Sequence, residues 1–328
     1  MEIRVTRSRK IFGDGKHNAF TGIAALGGRT FVTFRSATTH VSFDGTIKVI
    51  ASADREMWKM VTESVEPGRD LRDPKLVTFQ DRLLVYCGSR DEKTPGRVSE
   101  VIASSDGATF EKRIPVVGIP DGHWLWWAKP CGDMLYASAY DGAKRPRTVA
   151  FYRSGDGIAW EKVVDFPVPG NETAFDFDAD GRLWALVRDD SFGGVPTLCV
   201  ADPPYASFKS STRIPIRMQG PMIKRLAGGC VIVGRRWDLP GRRNLRTELF
   251  WLADDRDIQP VRWFPSGGDT SYAGWLDLAP GAAVMSYYSS HEHKMDEPHA
   301  NNSVFAKDRA HAEHSTPADI FLADVSYA

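Results

Sequence analysis

The stretch Ser154-Gly155-Asp156-Gly157-Ile158-Ala159-Trp160 has the composition of a tight polar turn closed by a tryptophan. In such a turn the Asp side chain accepts hydrogen bonds from nearby backbone amides, and the Gly tolerates an unusual φ. The same layout recurs at 104–110 and, with Arg in place of the Gly that follows the Asp, at 52–58. A short apolar run precedes each copy, so we interpret the stretch as one unit of an internal repeat.

The repeat extends through the chain in weaker form. An apolar segment followed by Asp recurs at Asp202, Asp254 and Asp324, but the Ser or the Trp is lost. The six Asp residues are separated by 52, 50, 46, 52 and 70 residues. Six repeats of about 50 residues predict an all-β, six-bladed β-propeller in which each blade is a four-stranded sheet. The longer last interval predicts an insertion of roughly 20 residues in the sixth blade.

The N-terminal segment is predicted to close this ring. Residues 3–11 alternate as a strand does but precede the first blade, and the last repeat ends at Ala328 without a fourth strand. We therefore expect the N-terminal strand to complete the last blade, which removes a free sheet edge. Residues 1–328 then form a single domain. The polar stretch 291–317, with five His, is predicted to be its long loop.

Charge and hydropathy disfavour several classes of function. The 328 residues carry 42 basic and 42 acidic side chains, a balance that argues against nucleic acid or an anionic membrane as the partner. No apolar run reaches the roughly 18 residues of a membrane span, and no signal peptide is visible, so we expect a cytoplasmic protein. The four cysteines lack metal-ligand spacing and are predicted to be free thiols. No cofactor and no metal are expected.

The loops around one mouth of a propeller channel form its default binding site. Four of the six second strands are predicted to end in arginine at this mouth: Arg35, Arg90, Arg188 and Arg235. Convergent guanidinium groups suit an anion, and their planar fork matches a carboxylate. The same register places ten further candidates there: His17, His40, Arg72, Asp73, Glu172, Arg236, Tyr272, Tyr288, His291 and Glu292. Trp124, on the inner strand of blade three, is a further candidate for substrate binding.

The Asp turns, the six repeats and the arginine-ringed mouth together resemble the sialidase (neuraminidase) superfamily of glycoside hydrolases. The resemblance covers essentially the whole chain and implies a carbohydrate substrate. By this resemblance, the family's catalytic Glu corresponds to Glu172, at the start of blade four. The family's nucleophilic Tyr corresponds to Tyr272, at the start of blade six. Its carboxylate-binding arginines correspond to Arg188 and to Arg235 or Arg236. A neutral phenol approaches an anionic sugar that would repel a carboxylate, and it needs a Glu as its base.

Two positions in blade one depart from the family pattern. The family opens this blade with an arginine, where this chain has the stretch 17–20, which begins at His17. The family's acid/base Asp follows the second strand, where this chain offers His40. We expect Arg72 and Asp73, at the mouth of blade two, to replace this arginine and this acid, with His40 as the alternative acid/base. The predicted substrate is then a terminal or exposed sugar, acidic or neutral, and need not be a sialic acid.

Some candidates also have a structural interpretation. The turn aspartates are expected to serve only their own turns. Alternation along the inner strand of blade three puts Trp124 and Trp126 on the side opposite to Trp127, so sugar stacking and blade packing both stay open for Trp124. His291 and Glu292, which follow Tyr288 closely, are predicted at the rim of the pocket.

Two other classes of function fit the same residues. Propellers also serve as non-catalytic modules that bind glycans or proteins. A polysaccharide lyase needs a base near C5 of a uronate and a cation at its carboxylate, which His17, His40, Tyr272 and the arginines would supply. A pair Tyr272–Glu172 beyond hydrogen-bond reach would favour the binding module. Of the three classes, the sequence favours a glycoside hydrolase.

Overall fold

The computed structural model describes residues 1–91, 97–143, 145–189, 194–238, 243–254, 257–293 and 317–328. Their regular structure is all β: 24 strands form six four-stranded antiparallel sheets, and these residues contain no helix. The predicted six-bladed β-propeller is confirmed. The predicted insertion at 291–317 lies almost entirely outside the described residues, and no described helix is long and apolar enough to cross a membrane.

The first strand of each blade adjoins the first strands of its neighbours and so faces the central channel. Blade one comprises β2 His17–Leu26, β3 Arg29–Ala37, β4 Thr46–Ser52 and β5 Lys59–Ser64. Blade two comprises β6 Arg69–Phe79, β7 Arg82–Asp91, β8 Arg97–Ser104 and β9 Ile114–Pro115. Blade three comprises β10 His123–Cys131, β11 Met134–Asp141, β12 Val149–Ser154 and β13 Glu161–Asp165.

The remaining three blades follow the same plan. Blade four comprises β14 Ala174–Phe177, β15 Leu183–Val187, β16 Thr197–Ala201 and β17 Ser210–Arg213. Blade five comprises β18 Met218–Leu226, β19 Gly229–Asp238, β20 Arg243–Ala253 and β21 Ile258–Trp263. Blade six comprises β22 Thr270–Ala279, β23 Ala282–Ser289, β24 Asp319–Tyr327 and, as its outer strand, β1 Ile3–Phe12.

Strand β1 closes the ring as the sequence predicts. It pairs antiparallel with β24, from Ile3 opposite Tyr327 to Phe12 opposite Ile320. Arg9 Nη1 also lies 2.7 Å from Asp324 Oδ2. Because β1 pairs with the outer edge of β24, that edge is not left open.

The strong repeats form the predicted turns. Asp156 Oδ1 accepts hydrogen bonds from the amides of Ile158 (2.7 Å) and Ala159 (2.9 Å). The Gly157 amide donates to Ser154 Oγ at 2.8 Å, and Gly157 has a φ of 78°. In the first copy Arg55 takes the glycine position with a φ of 64°. The weaker copies pair their Asp with an arginine instead: Asp202 with Arg182, Asp254 with Arg225, and Asp324 with Arg9.

Apolar side chains from adjacent blades form the core. Between blades two and three, Leu84 and Tyr86 pack with Leu135 and Tyr152, and all four are almost fully buried. Burial of each such side chain contributes about 1.5–3 kcal/mol. All four cysteines are free thiols, as predicted, and three of them lie in these layers.

The turn glycines differ in how much space surrounds them, and this gives a matched test of the repeat. A Cβ on Gly157 would lie 2.5 Å from Leu84 Cδ1 in the neighbouring blade, whereas nothing lies within 4 Å of a Cβ on Gly155. We expect Gly157→Ala to lower the free energy of unfolding by about 1–3 kcal/mol, because it combines a positive φ with a clash. Gly155→Ala should change it by less than about 0.5 kcal/mol. Urea unfolding of both variants checks this, and equal effects would contradict it.

Candidate active site

In five of the six blades, one extra residue in the inner strand turns a residue toward the channel. The β2–β3, β6–β7, β10–β11, β18–β19 and β22–β23 registers all shift at the same height. Such a β-bulge re-aims a side chain out of the ladder. At this height lie Phe20, Asp73, Trp126, Glu172, Gly220 and Tyr272, which we call the bulge ring. In blade four the amide of Asn171 donates a hydrogen bond to the carbonyl of Arg188, so the pairing of β14 with β15 continues back to Asn171. Glu172, the next residue, therefore lies at the equivalent position.

The bulge ring holds a strained backbone. Phe20, Asp73 and Tyr272 have φ values of 63°, 52° and 51°. A bulky residue in this left-handed region costs about 1–3 kcal/mol, and such strain clusters at functional sites. Gly220, at the equivalent position in blade five, has a φ of 54°. A Cβ there would lie 3.0 Å from the Tyr272 ring, so glycine also leaves room for that ring.

Tyr272 and Glu172, which the sequence pairs as nucleophile and activator, are in contact. The Tyr272 hydroxyl donates to Glu172 Oε1 at 3.1 Å. Arg188 Nη1 forms a close ion pair with Glu172 Oε2. Burial raises the pKa of Tyr272, and the Glu172 charge raises it further, while Arg188 and Arg235 oppose this. The phenol is therefore neutral, and it is bonded to a carboxylate that also pairs with an arginine.

Arg235 lies against the other side of this pair. Its side chain is fully buried, its Cζ lies 5.5 Å from the centroid of the Tyr272 ring, and Nη2 donates to Gln219 Oε1 at 3.1 Å. Arg236, the next residue along β19, points the opposite way and pairs with Glu248 at 3.3 Å. Because side chains alternate along a strand, only Arg235 reaches the channel. Of the two arginines that the sequence offers as a carboxylate-binding residue, Arg235 is therefore the one that lies at the channel.

Asp269, which the sequence analysis missed, joins four of the predicted site residues. Its Oδ2 lies 2.6 Å from His17 Nε2 and 2.8 Å from His40 Nδ1. Its Oδ1 accepts from the Tyr288 hydroxyl at 2.6 Å and from Arg235 Nη1 at 3.3 Å. Burial would raise the pKa of Asp269, but His40 and His17 bring it well below its usual range. Burial lowers the pKa of His40 to about 4, so this imidazole is neutral at pH 7.

His17, His40 and Asp269 are also the group among the described residues whose ligand atoms lie close enough for a metal ion, within 4.8 Å of one another. A metal-binding imidazole usually donates its second nitrogen to an acceptor. The buried Nδ1 of His17 has no hydrogen-bond partner, and the Arg235 guanidinium touches the same carboxylate. The donor set therefore suits a hydrogen-bonded cluster better than a divalent cation.

A second buried carboxylate, Asp70, gathers three of the predicted arginines. It is fully buried and lies 2.8 Å from Arg35 Nε, 2.7 Å from Arg90 Nε and 3.3 Å from Arg72 Nη1. The three guanidinium groups also donate to backbone carbonyls of the loop that carries His40: those of Thr39, His40, Val41 and Ser42. Arg35 and Arg90 therefore hold this loop. Substrate binding by Arg35, whose guanidinium is occupied by Asp70, Thr39 and Ser42, and by Arg90 stays a prediction.

Asp73 lies in the channel beside Arg72, whose Nε is 3.4 Å from its Oδ2. Only 7% of Asp73 is exposed. Burial raises the pKa of this carboxyl, Glu172 raises it further, and Arg72 offsets part of the effect. A carboxyl with a raised pKa retains its proton at higher pH, as a general acid must.

Two other predicted residues pack against aromatic rings of their own blades. Trp124 is buried, stacks on Tyr140 at 6.3 Å and fills the space over Gly88, so its role is blade packing. Its neighbour Trp126 is the residue that meets Tyr272, with ring centroids 5.7 Å apart. His291 packs on Phe321, with ring centroids 4.7 Å apart, and bonds Ser289. Among the described residues, its contacts are thus within blade six, and its place at the pocket rim stays a prediction.

The described residues around the channel carry more positive than negative charge. The six cations are Arg35, Arg72, Arg90, Arg188, Arg235 and Lys75, and the four carboxylates are Asp70, Asp73, Glu172 and Asp269. Six minus four leaves a surplus of two positive charges. Buried unlike charges attract strongly because the local dielectric is low. An anionic group on a ligand would therefore be stabilised here.

No model of a known protein family matches the sequence, and no curated protein is similar to it. Several solved structures share its fold. A protein of unknown function from Dyadobacter fermentans superposes with a TM-score of 0.78 and 14% identity over 99% of each chain. A Penicillium chrysogenum α-L-arabinanase complexed with arabinobiose gives a TM-score of 0.66 and 13% identity over 97% of this chain and 98% of that one.

A sialidase from Trypanosoma rangeli, in complex with the inhibitor DANA, is also similar. Its TM-score is 0.65 at 12% identity, and the match covers 94% of this chain but 55% of the sialidase, so this chain spans about half the length of that protein. The predicted resemblance to the sialidase-like propellers is thus confirmed at the level of the fold. At these identities the likeness establishes the fold alone.

Asp269 gives a test of the cluster that does not depend on activity. We expect Asp269→Asn to lower the free energy of unfolding at pH 7 by about 2–4 kcal/mol, because it removes a buried charged acceptor from four donors. The folded pKa of Asp269 is depressed, so its contribution is complete above its unfolded pKa and is lost as pH falls through the folded value. The deficit of the variant should therefore shrink below about pH 4.

Urea unfolding, from pH 7 down to the lowest pH at which the protein folds, measures this loss of free energy of unfolding. Asp165→Asn is the control, since Asp165 is 64% exposed and pairs only with Lys162. It should stay within about 0.5 kcal/mol of wild type at every pH. A constant deficit for Asp269→Asn at all pH values would contradict the prediction.

Proposed function

We propose that this protein is a glycoside hydrolase in which Tyr272 is the nucleophile, Glu172 its base, and Asp73 the general acid and base. The observation that carries the proposal is the buried hydrogen bond of 3.1 Å between the Tyr272 hydroxyl and Glu172 Oε1. A tyrosine joined to a carboxylate at the mouth of a channel has the geometry of an activated nucleophile. This contact is also the one whose absence would have favoured a binding module.

The proposed reaction has two balanced steps. In the first, the Tyr272 oxygen attacks the anomeric carbon while its proton passes to Glu172. The glycosidic C–O bond breaks, and the leaving oxygen takes the proton of Asp73. In the second, water attacks the anomeric carbon and gives a proton to the Asp73 carboxylate. The Tyr272–carbon bond breaks, and Glu172 returns the proton to the phenol.

The charges of the site support an acidic sugar as the substrate. The described channel residues carry two surplus positive charges, and protonation of Asp73 adds to that surplus. Arg188 and Arg235 flank Tyr272, where a carboxylate on the attacked sugar would lie near both. A carboxylate nucleophile would be repelled by such a sugar, whereas a neutral phenol would not. We therefore propose a terminal or exposed acidic sugar, with neutral glycosides as weaker substrates.

The first test is hydrolysis of aryl glycosides of a sialic acid, a uronic acid, arabinose and a neutral hexose. We expect one acidic glycoside to be hydrolysed fastest. Tyr272→Phe should lower kcat/KM about 10³-fold or more, because the nucleophile is lost, and Glu172→Gln about 10²–10⁴-fold. Tyr152→Phe, in the core between blades two and three, should retain wild-type activity.

The outcomes separate the competing functions. Activity that disappears in Glu172→Gln but persists in Tyr272→Phe would make Glu172 the nucleophile. An unsaturated product from a uronate polymer would identify a lyase. A folded protein that binds these sugars but converts none of them would be a binding propeller, and the proposal would be wrong.

The role of Asp73 is tested by the leaving group. Acid catalysis matters most when the departing oxygen is a poor leaving group. We expect Asp73→Asn to lower kcat/KM by about 10²–10⁴-fold on alkyl glycosides and far less on activated aryl glycosides. Equal losses on the two kinds of substrate, measured by steady-state kinetics, would remove Asp73 from the acid role.

A further inference from the structure

Lys75 is a buried amine that the proposed mechanism does not use. It lies on β6 directly after the bulge that carries Asp73, and only 6% of the residue is exposed. Its Nζ faces three aromatic rings, at 4.7 Å from the centroid of Trp126, 5.6 Å from Trp127 and 5.9 Å from Tyr272. In the described part of the chain, no ion pair within 4.0 Å involves Lys75.

An ammonium in this position destabilises the fold. Burial of a charge without a close counter-ion is unfavourable, and aromatic faces offset only part of the penalty. Burial lowers the pKa of Lys75 to about 8, against the opposing charges of Asp73 and Glu172. A methionine would fill the same space without a charge. A lysine here therefore has an explanation in function rather than in stability.

The surroundings of Lys75 show which group its charge acts on. Blade three offers Trp126 and Trp127, which carry no charge. Asp73 lies on the same strand, and Glu172 opens blade four. From blade six comes Tyr272, whose ring has Lys75 at 5.9 Å and the Arg235 guanidinium at 5.5 Å. Lys75 also lines a channel cavity of about 250 Å³ with Lys129, but Lys129 is engaged in an ion pair with Asp176.

We propose that Lys75 is a positioning residue of the Tyr272 reaction, whose ammonium stabilises the negative charge that develops on the phenol as its proton passes to Glu172. The inference rests on the proposed function. A phenolate spreads part of its charge into the ring, so cations close to the ring favour it over the neutral phenol. Loss of the Lys75 proton then removes one of the cations close to the ring and slows the reaction at alkaline pH.

One measurement tests this without any activity. Competitive acetylation followed by mass spectrometry should show that Lys75 titrates near pH 8, whereas exposed lysines titrate near 10.4. An ordinary titration of Lys75 would overturn the proposal even if no glycoside were hydrolysed.

Kinetics on an activated aryl glycoside, which needs little help from Asp73, provide the second measurement. We expect kcat of wild type to fall with a midpoint near pH 8. Lys75→Met should lower kcat about 10–100-fold with little change in KM, and should lose this alkaline step. Lys75→Arg should move the step to higher pH, since arginine keeps its charge. Lys129→Met, at the same cavity, should retain the wild-type profile.

Stability separates this role from a structural one. The folded pKa of Lys75 lies below its unfolded value, so the penalty for its charge is greatest below about pH 8 and disappears as pH rises toward 10.5. Lys75→Met should therefore unfold at an equal or higher temperature than wild type at pH 7, while it reacts more slowly. A variant that loses stability and activity together, with the alkaline step unchanged, would show that Lys75 only packs the core.

Discussion

The extra residue in five of the six inner strands is the constraint on which the site depends. A regular strand presents every second side chain to one face, so residues such as Asp73 and Tyr272 would otherwise lie in the ladder. The bulge places them in the left-handed region and turns them toward the channel axis. Because the blades repeat, these bulges lie at the same height along the channel. Phe20, Trp126, Gly220 and Glu172 consequently all contact Tyr272.

Buried carboxylates then decide what each arginine can do. Asp70 forms ion pairs with Arg35, Arg72 and Arg90, and these arginines hold the loop of residues 39–42 through its carbonyls. Asp269 pairs with Arg235 and orients the imidazoles of His17 and His40. In a medium of low dielectric, an unpaired guanidinium would be costly, and each of these four arginines is accompanied by a carboxylate. The site is thus a pre-arranged set of charges rather than a ring of free arginines.

Much of the architecture could be predicted because its causes are local. The Ser-x-Asp-Gly turn satisfies its own amides within seven residues, and its spacing counts the blades. The strand character of residues 3–11 and the missing fourth strand of blade six likewise follow from the pattern. Glu172 and Tyr272 were placed by the same register. The ion pairs of Arg35 and the packing of Trp124 could not be predicted, because the register gives a residue's height in the blade but not its partner.

The sequence by itself therefore determined the number of blades, the closure of the ring and the end of the channel where chemistry is possible, since each follows from short-range hydrogen bonding and strand periodicity. Only the tertiary structure decided which charges meet. Asp70, Asp269 and Lys75 stand in stretches with no motif, and their partners come from other strands or other blades. Electrostatic pairing and burial depend on distance in space, which the order of residues along a repeat does not contain.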